Sequence, residues 1–186
     1  MVVRLITILI LFNIASSIGF DPLYLNDKKR TPIERSGDFF QIVIPLSGLG
    51  YTYYSNDIIG RKQFWKTYIS SLSLTYILKY TIKKERPNGH CCESFPSGHT
   101  SAAFAGAMFI NNRYGSKFGI PAIFLASFVG YSRVYAEKHY WEDVMAGALI
   151  SVIASIFYTT KNNTNNENIS LYLNPLNNKI SINIKI

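Results

Sequence analysis

Apolar segments of about 15 residues recur along the chain, and they constrain its fold more than any other feature. They occupy residues 39–54, 68–82, 102–110, 120–135 and 144–158. We interpret them as the helices of an all-α bundle. Most are shorter than the roughly 20 apolar residues that cross a bilayer comfortably, and the mean hydropathy of +0.09 is modest for a multi-span protein. A soluble bundle and a membrane-embedded bundle are therefore both possible.

The distribution of positive charge favours the membrane-embedded bundle. Basic residues gather in alternate loops, namely Arg61, Lys62 and Lys66, then Arg113 and Lys117, then Lys161. The positive-inside rule places these three loops in the cytoplasm, so the intervening loops face the opposite side. Small residues at 102–107 and 146–148 also permit close contact between helices in a membrane. We expect five spans, or six if residues 5–20 form a further one.

The two ends of the chain differ from the central domain, which we place at residues 21–160. Residues 1–20 contain an apolar run after Arg4, which is either a cleaved signal peptide or a first transmembrane helix. Within the domain, residues 21–38 are polar, and we expect an exposed linker or surface helix. Residues 161–186 begin with an Asn-rich linker, and the alternating segments 169–173 and 180–186 suggest a β-hairpin.

Three short polar blocks carry the chemistry of the chain. They are Lys79 with Arg86 and Pro87, then residues 96–99, then Ser132 and Arg133 with His139 and Asp143. Lys79, Arg86 and Arg133 supply positive charge, and the forked donors of arginine suit the geometry of a phosphate group. Each block alone would be weak evidence, but together they indicate a site for phosphoryl transfer.

The second block, Pro96-Ser97-Gly98-His99, predicts a tight turn into a helix that starts near His99. Unpaired backbone N–H groups at a helix start bind anions. Gly98 would let the backbone approach a phosphate closely, and the Ser97 hydroxyl adds a donor. An ordinary helix-start turn is the alternative for this block taken alone.

His139 and Asp143 are four residues apart, so on a helix they would lie on one face. A carboxylate there can accept a proton from one imidazole nitrogen and leave the other as a nucleophile. A purely structural pair is the alternative. His99 would then protonate the leaving group, because histidine titrates near neutral pH.

The pattern K-x6-RP, PSGH, SR-x5-H-x3-D over residues 38–159 resembles the type 2 phosphatidic acid phosphatase (PAP2) superfamily. The resemblance implies a helical bundle in which His139 is the nucleophile, Asp143 its partner and His99 the acid. It assigns phosphate binding to a set of five residues, which are Lys79, Arg86, Ser97, Gly98 and Arg133. It implies no metal and no other cofactor.

Other charged and sulfur-containing residues receive weaker interpretations. His90 with Cys91 and Cys92 invites a metal hypothesis, but a vicinal disulfide or two free thiols is favoured, because adjacent cysteines cannot easily ligate one ion. Lys83, Lys84 and Glu85 are interpreted as solvated loop charges. The net charge of +8 suggests an anionic partner. Dispersed basic residues and the lack of a recognised motif argue against nucleic acid.

These observations predict a lipid phosphatase that acts on a lipid phosphate or pyrophosphate through a phosphohistidine intermediate. We expect it in a bacterial inner membrane, surrounded by lipid, with its site facing the periplasm. One alternative is a soluble periplasmic acid phosphatase of broad specificity. A vanadium-dependent haloperoxidase is a further alternative, since the same ligands would hold vanadate. The sequence selects neither the lipid nor an oligomeric state.

Overall fold

The computed structural model describes residues 30–90, 92–162, 169–174 and 179–184. In these residues five helices form a bundle, which confirms the predicted all-α class. The helices are α1 (Pro32–Tyr54), α2 (Ile58–Ile82), α3 (Gly98–Tyr114), α4 (Ser116–Tyr135) and α5 (Trp141–Tyr158). Residues 1–20, with the predicted signal peptide or first helix, lie outside the described part.

The helices extend beyond the apolar segments that predicted them. Helix α1 begins at Pro32, where the Thr31 side chain accepts a hydrogen bond from the Glu34 N–H and caps the helix. Of the two alternatives expected for residues 32–38, the linker is therefore wrong and a helix is confirmed, with Pro32 and Arg35 exposed on it. Glu34 is 6% exposed and Asp38 is largely buried, because both carboxylates turn inward and pair with basic side chains.

Helix α3 is the centre of the bundle, and it contacts each of the other four helices. Small side chains make this close packing possible, as the sequence predicted. A Cβ atom at Gly106 would lie 2.6 Å from the Pro45 Cα of α1, and one at Gly147 of α5 would lie 2.6 Å from the Ser97 carbonyl oxygen. Both contacts require glycine.

Buried hydroxyl groups connect α2, α3 and α5. The Ser71 and Ser151 hydroxyls are 2.6 Å apart, and those of Thr75 and Ser101 are 2.8 Å apart. Ser101 also donates to the Gly147 carbonyl. Each group is thereby satisfied although it is shielded from water, so the three helices are fixed relative to one another.

A buried ion pair joins the chain segments at one end of the bundle. Asp57, between α1 and α2, accepts hydrogen bonds from Arg113 at 2.6 and 2.7 Å. Arg113 also donates to the Thr160 carbonyl, just after α5. The opposite end, where α2 and α4 finish and α1, α3 and α5 begin, holds the predicted site residues.

Two of the described helices, α4 and α5, are long and apolar enough to cross a membrane. Large apolar side chains are also exposed on all the outer helices. Examples are Leu46, Ile77, Phe124, Met145, Leu149 and Phe157.

Beyond the bundle, two strands lie in the segments that suggested a hairpin. Strand β1 (Ile169–Asn174) pairs antiparallel with β2 (Lys179–Ile184), and Ile169 lies opposite Ile184.

Candidate active site

A cavity of about 220 Å³ opens at the end of the bundle where α1, α3 and α5 begin. Six of the eight predicted site residues line it, namely Lys79, Arg86, Gly98, His99, Arg133 and His139. The other two, Ser97 and Asp143, are fully buried beside them. Helix packing thus brings together three blocks that are separated in the sequence.

His139 lies in the connection between α4 and α5 and is almost fully buried. Its Nδ1 is 2.7 Å from the Ser94 carbonyl oxygen. Because a carbonyl only accepts, Nδ1 carries the proton, and Nε2 keeps a free lone pair. Burial lowers the pKa of His139 to about 4, although Asp143 opposes the shift. The ring is therefore neutral at pH 7, as a nucleophile requires.

Asp143 does not accept a hydrogen bond directly from the His139 ring, contrary to the sequence-based expectation. Its Oδ2 lies 3.8 Å from His139 Nδ1, because the Ser94 carbonyl occupies the nearer position. The carboxylate instead accepts hydrogen bonds from the Ser94 hydroxyl, the Tyr140 N–H and the Lys84 ammonium group. Asp143 is thus connected to His139 through Ser94, and its carboxylate lies 3.8 Å from the ring nitrogen.

Lys84 is not the solvated loop charge that the sequence suggested. Its Nζ lies 2.8 Å from both Asp143 Oδ1 and Glu142 Oε1, and 4.4 Å from the centre of the Tyr140 ring. Burial lowers the pKa of Lys84, but these two carboxylates outweigh that effect and raise it overall. The flanking Lys83 and Glu85 are exposed.

The three cationic side chains differ in how far their hydrogen-bond donors are already occupied by protein acceptors. Arg133 is anchored on α1, since it donates to the Asp38 carboxylate and the Glu34 carbonyl. Lys79 donates to the Glu93 carbonyl. In the described part of the chain, the Arg86 Nε is a buried donor with no hydrogen-bond partner. A buried donor without a partner costs free energy, and an anion that accepts a hydrogen bond from the Arg86 Nε would remove that cost.

Ser97 and Gly98 form the start of α3. The Ser97 Oγ accepts a hydrogen bond from the Thr100 hydroxyl at 3.0 Å, and the Ser97 N–H donates to the Asp143 carbonyl. The hydroxyl also accepts a hydrogen bond from the Thr100 N–H and caps the helix, whereas the Ser97 backbone N–H ties the start of α3 to α5. Gly98 lines the cavity, where a Cβ would meet no atom closer than the Tyr76 hydroxyl at 3.9 Å.

Two site residues were missed from the sequence. Ser94 lies in the loop before α3, and no local pattern distinguishes it. Asp38 lies on α1, with its Oδ1 3.2 Å from His99 Nε2 and 2.7 Å from an Arg133 guanidinium nitrogen. Glu34 and Asp38 are four residues apart just before an apolar segment, and that spacing would have indicated an acidic helix face.

The His-Cys-Cys run lies in the loop between the first two blocks. His90 is exposed, and Cys92 is disulfide-bonded, so the structure selects the disulfide from the two alternatives that the sequence left open. Cys91 lies outside the described residues. No group of three metal-ligating side chains occurs among the residues that the structure describes.

The family model of the PAP2 superfamily matches residues 63–167. The chain belongs to the PAP2 superfamily. The match includes all eight predicted site residues, whereas Glu34 and Asp38 of α1 lie outside it.

Individual PAP2 relatives agree with this assignment. A lipid A 1-phosphatase from Porphyromonas gingivalis is 31% identical over 66% of this chain and 29% of its own length. Lipid phosphate phosphatase 2 from Arabidopsis thaliana is 30% identical over 54% of this chain and 42% of its own. The crystal structure of Aquifex aeolicus LpxE superposes with a TM-score of 0.52 at 26% identity, covering 69% of this chain and 87% of that one.

The matched part of the chain thus spans less than half the length of either of these two curated relatives. Their names describe phosphatases that act on lipid phosphates, and they give no support to the haloperoxidase alternative. Together with the apolar helices α4 and α5, they indicate that this PAP2 protein associates with membranes.

The network around Asp143 predicts a measurable role for Lys84. Replacing Lys84 with Met removes one of the charge-assisted hydrogen bonds to Asp143 and should lower kcat about tenfold. The adjacent, exposed Lys83 is the matched control, and Lys83→Met should leave kcat unchanged. Steady-state hydrolysis of a phosphate ester measures both. Equal kcat values for the two variants would show that Lys84 contributes no more to turnover than a solvated loop charge.

Proposed function

We propose that this protein is a phosphatase that hydrolyses lipid phosphate esters through a phosphohistidine. In the first step, His139 Nε2 attacks the phosphorus, a P–N bond forms and the P–O bond to the lipid breaks. The leaving alkoxide takes a proton from His99. Water then attacks the phosphohistidine, His99 accepts a proton from that water, and inorganic phosphate and His139 are regenerated.

The single observation that carries the proposal is the environment of His139 Nε2. The Nδ1–H contact with Ser94 leaves the Nε2 lone pair available, and His139 lines a cavity that Lys79, Arg86 and Arg133 also line. Their three positive charges oppose the negative charge that spreads over the equatorial oxygens in phosphoryl transfer. Ser97 and the backbone at Gly98 complete the proposed phosphate ligands.

The lipid nature of the substrate is supported by two further observations. The relatives are named for lipid A and lipid phosphates, and the outer surface of the bundle is apolar. A phosphate group at the cavity would leave the acyl chains in the surrounding bilayer. Phosphatidic acid, phosphatidylglycerol phosphate, undecaprenyl pyrophosphate and lipid A phosphate all present such a group.

A panel of these four lipids, assayed with the purified protein in detergent, tests the proposal. We expect release of phosphate from at least one of them, at a kcat/KM well above that for a water-soluble phosphate monoester. His139→Ala should abolish turnover, because no nucleophile remains. A preference for soluble monoesters over all four lipids would favour the broad-specificity acid phosphatase.

We further propose that the bundle spans a bacterial inner membrane several times, with the cavity facing the periplasm. The basic residues 61, 62, 117 and 161 lie at the end of the bundle opposite the cavity, and basic loops favour the cytoplasmic side; the cavity end is basic as well, with Lys83, Lys84 and Lys138 among its residues. Arg113 contributes less, because it is buried against Asp57. The disulfide at Cys92 is consistent with an oxidising compartment on the cavity side.

Single cysteines at two exposed positions test this orientation. In a background without Cys91 and Cys92, Glu85→Cys on the cavity side should react with a membrane-impermeant maleimide when the inner membrane is intact. Lys117→Cys at the other end should react only after lysis. The reverse pattern would put the cavity in the cytoplasm, and labelling of both in a protein removed by carbonate would favour a soluble enzyme.

A further inference from the structure

Each of the two active-site histidines has a carboxylate nearby, but only Asp143, near His139, belongs to the sequence motif. The other carboxylate is Asp38 of α1. Its Oδ1 lies 3.2 Å from His99 Nε2 and 2.7 Å from an Arg133 guanidinium nitrogen, and it lines the cavity. In the described part of the chain, no other carboxylate forms an ion pair with His99.

The contact with Asp38 determines which nitrogen of His99 can reach the substrate. An ionised carboxylate only accepts hydrogen bonds, so His99 Nε2 carries a proton and donates a hydrogen bond to Asp38. When the ring takes up a second proton, that proton is on Nδ1, which is then the nitrogen that can give a proton to a leaving oxygen. After that transfer His99 is neutral with its proton on Nε2, and Nδ1 can accept a proton from the attacking water.

Asp38 also lies in a position to counter the surrounding positive charge. Arg133 contacts the same carboxylate oxygen as His99, and Lys79 and Arg86 line the same cavity. Burial and these cations disfavour a protonated His99, whereas an anion 3.2 Å away favours it. Arg30 lies 3.4 Å from the second Asp38 oxygen, which keeps that oxygen from being a buried acceptor without a partner.

We propose that Asp38 is the positioning residue of the general acid, holding the His99 ring and the Arg133 guanidinium together so that His99 Nδ1 donates to the leaving group. This inference rests on the proposed phosphatase function. It adds helix α1, which lies outside the family match at residues 63–167, to the parts of the protein that catalysis requires.

Leaving-group dependence separates this role from a structural one. An alkyl phosphate releases a basic alkoxide that needs a proton, whereas 4-nitrophenyl phosphate releases a stable anion that needs little help. In Asp38→Asn, kcat/KM should fall about 100-fold for an alkyl phosphate and less than about fivefold for 4-nitrophenyl phosphate. Loss of the Arg133 contact would weaken binding of both substrates equally, so the ratio isolates the effect through His99.

Two further variants at the site sharpen the test. Asp38→Ala should give the same split, because it introduces no amide that could repel the Arg133 guanidinium. In a His99→Asn background, Asp38→Asn should add almost nothing to the loss of leaving-group selectivity, since residues that act through one another are not additive. A full additional loss in the double variant would show that Asp38 acts without His99.

The chain offers two matched controls. Glu34→Gln removes a carboxylate one turn earlier on α1, whose side chain pairs with Lys138 rather than His99. Asp57→Asn breaks a buried Asp–Arg pair at the opposite end of the bundle. Both should leave the ratio of the two kcat/KM values unchanged. Equal losses on the two substrates in Asp38→Asn, or no loss, would overturn the inference. Wild-type turnover of the lipid panel reports separately on the proposed function.

Discussion

The close contacts of α3 determine where every other part of the site can lie. Its first turn carries Gly98 and His99, and the small side chains that follow let α1, α2, α4 and α5 all approach it. Gly106 against Pro45 and Gly147 against the Ser97 carbonyl leave no room for a larger residue. Because the helices are held at these contacts, their ends meet around one cavity, and residues distant in sequence become neighbours.

At that cavity, carboxylates hold the basic groups in place without neutralising all of them. Asp143 organises Lys84, Ser94 and the backbone at Tyr140, and through Ser94 it fixes the proton on His139. Asp38 bridges His99 and Arg133. The Arg86 Nε has no protein hydrogen bond within the described residues. A phosphate group would therefore enter a pocket whose geometry is already set and whose positive charge is only partly balanced.

The sequence was sufficient to predict the helical class and eight of the residues that meet at or beside the cavity, but not Asp38 or Ser94. Apolar segments and the spacing of the three blocks carry that information locally. The hydrogen bonds and ion pairs between those residues were not predictable in the same way. The Ser94 carbonyl reaches His139 from a loop 45 residues away in the chain, so the tautomer depends on tertiary packing.

Lys84 and Asp38 are charged residues whose partners could likewise not be predicted from the local sequence. Both lie in polar stretches, where a solvated side chain is the usual expectation, and neither segment shows locally what it packs against. Lys84 is held by carboxylates on α5, and Asp38 by Arg133 of α4 and His99 of α3. The sequence left the start of α1 open between a linker and a helix, because its polar first turn is stabilised by capping at Thr31 and by these pairings rather than by apolar periodicity.

The proposed function depends on attack of the His139 Nε2 lone pair on phosphorus. Rapid quenching of the enzyme with a ³²P-labelled lipid phosphate, followed by peptide mapping, would detect the resulting covalent intermediate. We expect a phosphorylated peptide that contains His139, with a label that is labile in acid and stable in base. A label on any other residue, or turnover by a His139→Ala protein, would contradict it.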